Sequence, residues 1–197
     1  MTTPPAAGAA TGPGVDLYWI PVGAGTHVVR VSSTIYEAVT ARVRRRERCD
    51  LYHAALVVVT DGPYAIEVAP IPDALGPHVR GVVAEGPVGV RWGRRLRVFR
   101  YEVRRWRDGV IPDLPFAVAS PVRVARDAAT AQQVLDLVPT VPTPTWGRDE
   151  LGAGEMWNSN SVVAWLLVRA GLLAAAGPIP AGGRAPGWDA GVVVATR

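Results

Sequence analysis

Cysteine is nearly missing from this chain of 197 residues: Cys49 is the only one. No intramolecular disulfide and no cysteine-based metal site can therefore form, and the thiol content asks for no oxidising compartment. Histidine is almost as scarce, with three in all. His27, His53 and His78 do not fall at metal-ligand spacing, so neither a metal nor another cofactor is expected. Long apolar runs are also lacking. The longest, Val162–Val168, falls far short of the roughly 20 residues a helix needs to cross a bilayer. Met1–Gly14 is small and proline-rich, without the basic flank or apolar stretch of a signal peptide. A disordered tail is expected there, followed by one cytoplasmic domain over residues 15–197.

Basic residues outnumber acidic ones by 21 to 17. The excess is carried by arginine, clustered at Arg42–Arg48 and again between Arg91 and Arg107. No aromatic-spaced RNA platform or DNA-reading helix accompanies these clusters, so a solvated helix face and cross-strand pairing account for them and no specific nucleic-acid partner is expected. Gly23-Ala24-Gly25 begins a dinucleotide-like pattern, but Val28 stands where the third glycine belongs; a turn is the simpler reading.

The local patterns describe an α+β domain. Leu17–Val22 and His27–Val31 read as strands around a glycine turn, and Ser32 or Ser33 caps a helix that runs from Thr34 to about Arg48. Leu51–Val59 and Tyr64–Val68 flank Asp61-Gly62, a strong hairpin signal. Further strands are expected at Gly81–Ala84, Val88–Trp92 and Leu96–Trp106, giving an antiparallel sheet, either a meander or a partial barrel. Asp127–Val138 has the spacing of an amphipathic helix, stopped by the Pro/Thr-rich Pro139–Thr145. A polar cluster, Trp157-Asn158-Ser159-Asn160-Ser161, leads into a helix from about Ser159 to Ala170 that is apolar on nearly all sides and is expected to lie buried in the middle of the domain. From Gly177 onward the Pro- and Gly-rich chain reads as a long ordered loop laying Trp188 against the core.

Two segments suggest chemistry. Tyr52-His53-Ala54-Ala55-Leu56-Val57-Val58 with Tyr64-Ala65-Ile66-Glu67-Val68, followed much later by Trp157-Asn158-Ser159-Asn160-Ser161-Val162-Val163, resembles the circularly permuted branch of the NlpC/P60 (papain-like) superfamily. That branch includes the YiiX-like and lecithin:retinol acyltransferase-like enzymes. The histidine strand precedes the nucleophile helix, as in the permuted order, and the likeness spans Leu51 to Gly171. It implies a papain-like permuted topology, with Ser159 on the family's nucleophilic cysteine, His53 on its base and Glu67 on the group that orients the imidazole. Asn158, Trp157, Asn160, Ser161 and Tyr52 would shape the substrate and oxyanion pocket, with Ser161 as fallback nucleophile.

The departure is chemical: a thiol is partly ionised at neutral pH, whereas a serine hydroxyl needs a base to take its proton as it attacks. The resemblance therefore implies a Ser-His-Glu hydrolase or acyltransferase acting on an amide, ester or thioester of a small-molecule, lipid or peptide substrate. The alternatives are a binding module that keeps the papain-like groove without turnover, in which Ser159 is only a helix cap, and, more remotely, an arginine-rich interaction protein.

Overall fold

The computed structural model describes residues 12–23, 49–69 and 80–197. The strand expected at 27–31, the helix expected from Thr34 to Arg48 with its arginine cluster, His27, His78 and most of the N-terminal tail lie outside these residues.

Seven strands and three helices make up the described structure. The strands are β1 (Gly14–Pro21), β2 (Asp50–Val59), β3 (Pro63–Ala69), β4 (Val82–Pro87), β5 (Arg100–Arg107), β6 (Val118–Ala125) and β7 (Gly183–Arg184); the helices are α1 (Ala128–Leu137), α2 (Ser159–Arg169) and α3 (Trp188–Ala195). Six strands form an open antiparallel sheet in the order β4-β5-β3-β2-β1-β6, and β7 adds to β2 in parallel. This is the expected α+β antiparallel architecture, but it is not a simple meander, because β5 lies between β3 and β4.

Alternation along the strands assigns each side chain to a face. Val15, Leu17 and Trp19 of β1, Leu56 and Val58 of β2, Ile66 of β3 and Val103 of β5 join α1 and α2 in the main core. Complete burial of each such side chain is worth about 1.5–3 kcal/mol. The other face carries Tyr18, Ile20, Ala55 and Ala65, which pack with Ile111 into a smaller cluster. Ile111 belongs to the segment that leaves β5 at the hairpin end of the sheet and crosses to the start of β6 on the far edge.

Four expectations need correction. Val88–Trp92 is not a strand: after β4 the chain makes 3-10 turns at Arg91–Arg95 and Arg97–Phe99 before β5 begins at Arg100. Gly89 with φ of +73° and the close packing of Gly93 favour turns over a pleated run. Leu96–Phe99 is lost from the expected Leu96–Trp106 strand for the same reason. β6 was not expected, because Pro121 interrupts the pattern; it is tolerated on an edge strand, where one side of the backbone needs no partner. The C-terminal loop is partly a helix: α3 forms from Trp188 to Ala195 and lies against α2. A Cβ on Gly191 would sit 2.2 Å from the Ser161 carbonyl, so the helices approach this closely only with glycine there. Trp188 is buried as expected and packs against Trp19 with the rings tilted at 47° and their centroids 4.9 Å apart.

The helices themselves follow their signals. Asp127 caps α1 by accepting from Thr130 N–H at 2.7 Å. α2 is buried from Asn160 to Leu167. No helix among the described residues is long and apolar enough to cross a membrane.

Candidate functional site

The site is assembled at the N-terminus of α2. Asn158 is the cap: its side-chain oxygen accepts from the N–H groups of Asn160 (2.9 Å) and Ser161 (3.3 Å), while the Ser161 hydroxyl accepts from the Asn158 N–H at 3.0 Å. This reciprocal pair is a capping box. The Ser161 hydroxyl also donates to the Gly187 carbonyl at 2.7 Å and is fully buried. Ser161 is thus a structural cap outside the cleft and neither a fallback nucleophile nor a pocket residue. Trp157 is likewise buried and absent from the cleft wall, which corrects its expected place in the pocket.

Asn160 ties the helix to the sheet. Its side-chain oxygen accepts from Ala54 N–H at 2.7 Å, and its amide nitrogen donates to the carbonyls of Tyr52 (3.0 Å) and Pro186 (2.9 Å). β3 pairs with β2 only over Leu56–Val59, so this amide stands in for a neighbouring strand at the residues on either side of His53. Both Asn160 side-chain protons are used, and the residue serves the site by fixing His53 rather than as a free donor. Asn158 adds a bond to the Pro186 carbonyl at 2.8 Å. Gly187, with φ of +84°, must be glycine here, because a Cβ would fall 2.5 Å from the Asn158 oxygen.

Above this junction lies an open cleft of about 470 Å³, a volume suited to a small molecule or to one end of a longer one. His53, Ser159, Asn158, Asn160, Tyr52 and Asp113 line it, together with an apolar wall that includes Leu51, Trp146, Met156 and Pro186. Ser159, which opens α2, and His53 of β2, distant in sequence, therefore line one cavity. Among the described residues they make no hydrogen bond to each other. Of the first N–H groups of α2, those of Asn160 and Ser161 are taken by the Asn158 side chain and that of Val162 by its carbonyl. Among the described residues the N–H of Ser159 has no acceptor, and it stands at the end of the helix whose dipole favours negative charge.

Glu67 stands differently from the expectation. Val57 pairs with Ala65, and two-residue steps from there place His53 and Glu67 on the same face of the sheet. The carboxylate is nevertheless engaged by Arg104 at 2.9 Å, across the β3–β5 pair, and Arg104 also holds Glu102 at 2.7 Å. Glu67 is not part of the cleft wall. The carboxylate that is part of it, Asp113, was not anticipated. It sits in the segment crossing from β5 to β6, held down by the buried Ile111 and bracketed by Pro112 and Pro115, which narrow the backbone's freedom. Its only trace in the sequence is an acidic residue inside an apolar, proline-bounded loop.

Burial lowers the pKa of His53 below its ordinary 6.5, and this outweighs the opposing pull of Asp113 and, after it, Glu67. The imidazole is therefore neutral at physiological pH, the form in which it accepts a proton. Among the described residues no group of three or more His, Cys, Asp or Glu side chains is arranged to hold a metal ion. Comparison of the chain with models of protein families, with curated proteins and with solved structures finds no match.

Proposed function

We propose that this protein is a serine-dependent hydrolase or acyltransferase that acts on an amide, ester or thioester, with Ser159 as nucleophile and His53 as general base. The observation that carries this reading is the shared cleft, which Ser159 at the start of α2 and His53, kept neutral by burial, line together. A histidine strand that precedes a buried nucleophile helix on an antiparallel sheet also supports a permuted NlpC/P60-like topology for the domain.

In the proposed reaction the Ser159 oxygen attacks the carbonyl carbon while its proton passes to the His53 imidazole. The carbonyl oxygen becomes an oxyanion facing the Ser159 N–H and the positive end of α2. Collapse of this intermediate breaks the bond to the amine, alcohol or thiol, which leaves with the proton from the imidazolium. Water, or an acceptor nucleophile in the case of transfer, then attacks the acyl-serine and regenerates the hydroxyl. Asp113, whose charge favours the protonated ring more than that of Glu67 does, stabilises the imidazolium. The apolar wall would take the acyl portion of the substrate.

A second reading, a binding module without turnover, draws on the engagement of Glu67 by Arg104 and on the absence of a Ser159–His53 hydrogen bond among the described residues. Catalytic hydrogen bonds often tighten only with substrate bound, so the two readings are separated by reactivity. A fluorophosphonate probe is expected to label the wild-type protein at Ser159, to leave Ser159→Ala unlabelled and to react about a hundredfold or more slowly with His53→Ala. An unlabelled wild type, or labelling that persists in Ser159→Ala, would overturn the enzymatic reading.

A further inference from the structure

The turns between β4 and β5 project a set of apolar side chains into solvent. Trp92 is 70% exposed, Val98 65%, Leu96 55% and Phe99 42%. Their exposure is not a consequence of missing local order, since backbone bonds run Val88→Phe99 (2.8 Å), Gly93→Val90 (3.0 Å), Leu96→Gly93 (2.9 Å) and Phe99→Leu96 (3.0 Å). Two more bonds fasten the base of this arm to the segment before α2: Gly89 N–H to the Trp146 carbonyl (3.1 Å) and the Arg148 side chain to the Gly89 carbonyl (2.8 Å). The apolar groups are also contiguous in part, because Val90 and Phe99 close over Gly93 from two sides.

The same stretch is strongly cationic. From Val88 to Tyr101 it carries five arginines, Arg91, Arg94, Arg95, Arg97 and Arg100, and no acidic residue. Arg91 and Arg100 reach carboxylates of other segments, Glu150 at 3.8 Å and Glu85 at 3.1 Å. Arg94 and Arg95 extend into solvent. A folded protein gains nothing by holding a tryptophan and three other large apolar residues in water beside such a charge density. A surface that offers both acyl chains and negative headgroups satisfies the two features together.

We infer that the β4–β5 arm docks the protein onto an anionic lipid bilayer, with Trp92 and Leu96 entering the headgroup–acyl boundary and Arg94 and Arg95 meeting the headgroups. The aliphatic members decide against a single-stranded nucleic acid, whose bases stack on aromatic rings and gain nothing from Leu96 or Val98. The arm adjoins the loop that supplies Trp146 to the cleft. Docking would therefore bring the cleft close to the lipid surface, whether or not Ser159 is a nucleophile.

Flotation of the full chain with vesicles tests this directly. Vesicles of phosphatidylcholine containing phosphatidylglycerol are expected to carry the protein, and vesicles of phosphatidylcholine alone to carry much less. Arg94→Gln with Arg95→Gln should weaken binding by about tenfold or more, since each arginine near such a surface contributes substantially. Trp92→Ser with Leu96→Ser should weaken it comparably, and Trp92→Ser alone should remove much of the quenching of tryptophan fluorescence by brominated acyl chains. These side chains are exposed, so unchanged thermal unfolding of the variants shows that the fold is retained. The inference is overturned by equal binding to neutral and anionic vesicles, by no binding to either, or by substitutions that leave vesicle binding unchanged while abolishing binding to a single-stranded oligonucleotide.

Discussion

On the helix-covered face of the sheet Leu17, Leu56, Val58 and Val103 are fully buried among apolar neighbours, whereas on the opposite face Asp16, Glu102 and Arg104 are buried as deeply and carry charges. The first face is held by shape, the second by partners. Arg104 is met by Glu102 and Glu67, and Asp16 by Arg123 at 2.9 Å. The charged face is not completely satisfied, since one Asp16 carboxylate oxygen and the Arg123 Nε are buried without a hydrogen-bond partner among the described residues. The two faces fail in different ways: an apolar vacancy costs contacts, while an orphaned charge costs solvation. His53 lies on the charged face, next to the crossing segment that brings Asp113, while Ser159 opens α2 on the other; the cleft that both residues line is where the candidate chemistry lies. Charge on one face of a strand, seen in sequence, suggests solvent; here it marks a second, polar interior.

The contrast is broken most severely at Arg104. Arg104→Met leaves two carboxylates near one another without their cation, and chemical denaturation should show a loss of about 3–5 kcal/mol. Leu166→Ala, in the middle of α2 and fully buried, removes only packing from the other side and should cost about 3 kcal/mol. A much smaller loss for Arg104→Met than for Leu166→Ala would show that the polar interior is less tightly closed than its burial indicates.

The smallest effect sharpens the comparison at His53. Its pKa is lower in the folded protein than the 6.5 of the unfolded chain, so the unfolded state binds the proton more readily. Stability from this group is complete above about pH 6.5 and is lost as the pH falls from there toward the folded value. Denaturation midpoints measured across this range should fall with acidification in the wild type, and this component of the slope should vanish in His53→Ala.

The parts of the fold that sequence patterns announced are those in which local and tertiary preferences agree. Asp61-Gly62 between two β-branched runs gave the β2–β3 hairpin, and Asp127 gave the start of α1. The polar cluster before Val162 pointed to the cap of α2, although Asn158 rather than Ser159 accepts the cap bonds. Elements that depend on distant partners were hidden. β6 exists despite Pro121 because β1 offers it an edge, and α3, with three valines and a glycine in eight residues, forms because it packs on α2.

The candidate site divides in the same way. Ser159 and His53 stood out because short motifs surround them. Asp113 reaches the cleft through a chain crossing that no local pattern encodes, and the attachment of Glu67 to Arg104 depends on the β3–β5 register. The tie from Asn160 to the backbone of Tyr52 and Ala54 joins residues more than a hundred positions apart.

The relation between Ser159 and His53 is tested most directly by replacing the hydroxyl with a thiol. In a Cys49→Ser background, Ser159→Cys should be alkylated by iodoacetamide with a pH profile whose inflection lies below that of a free cysteine, as expected for a thiolate at a helix N-terminus beside an imidazole. Adding His53→Ala should move the inflection back upward. An ordinary thiol profile that His53→Ala leaves unchanged would contradict the pairing and reduce the cleft to a binding groove.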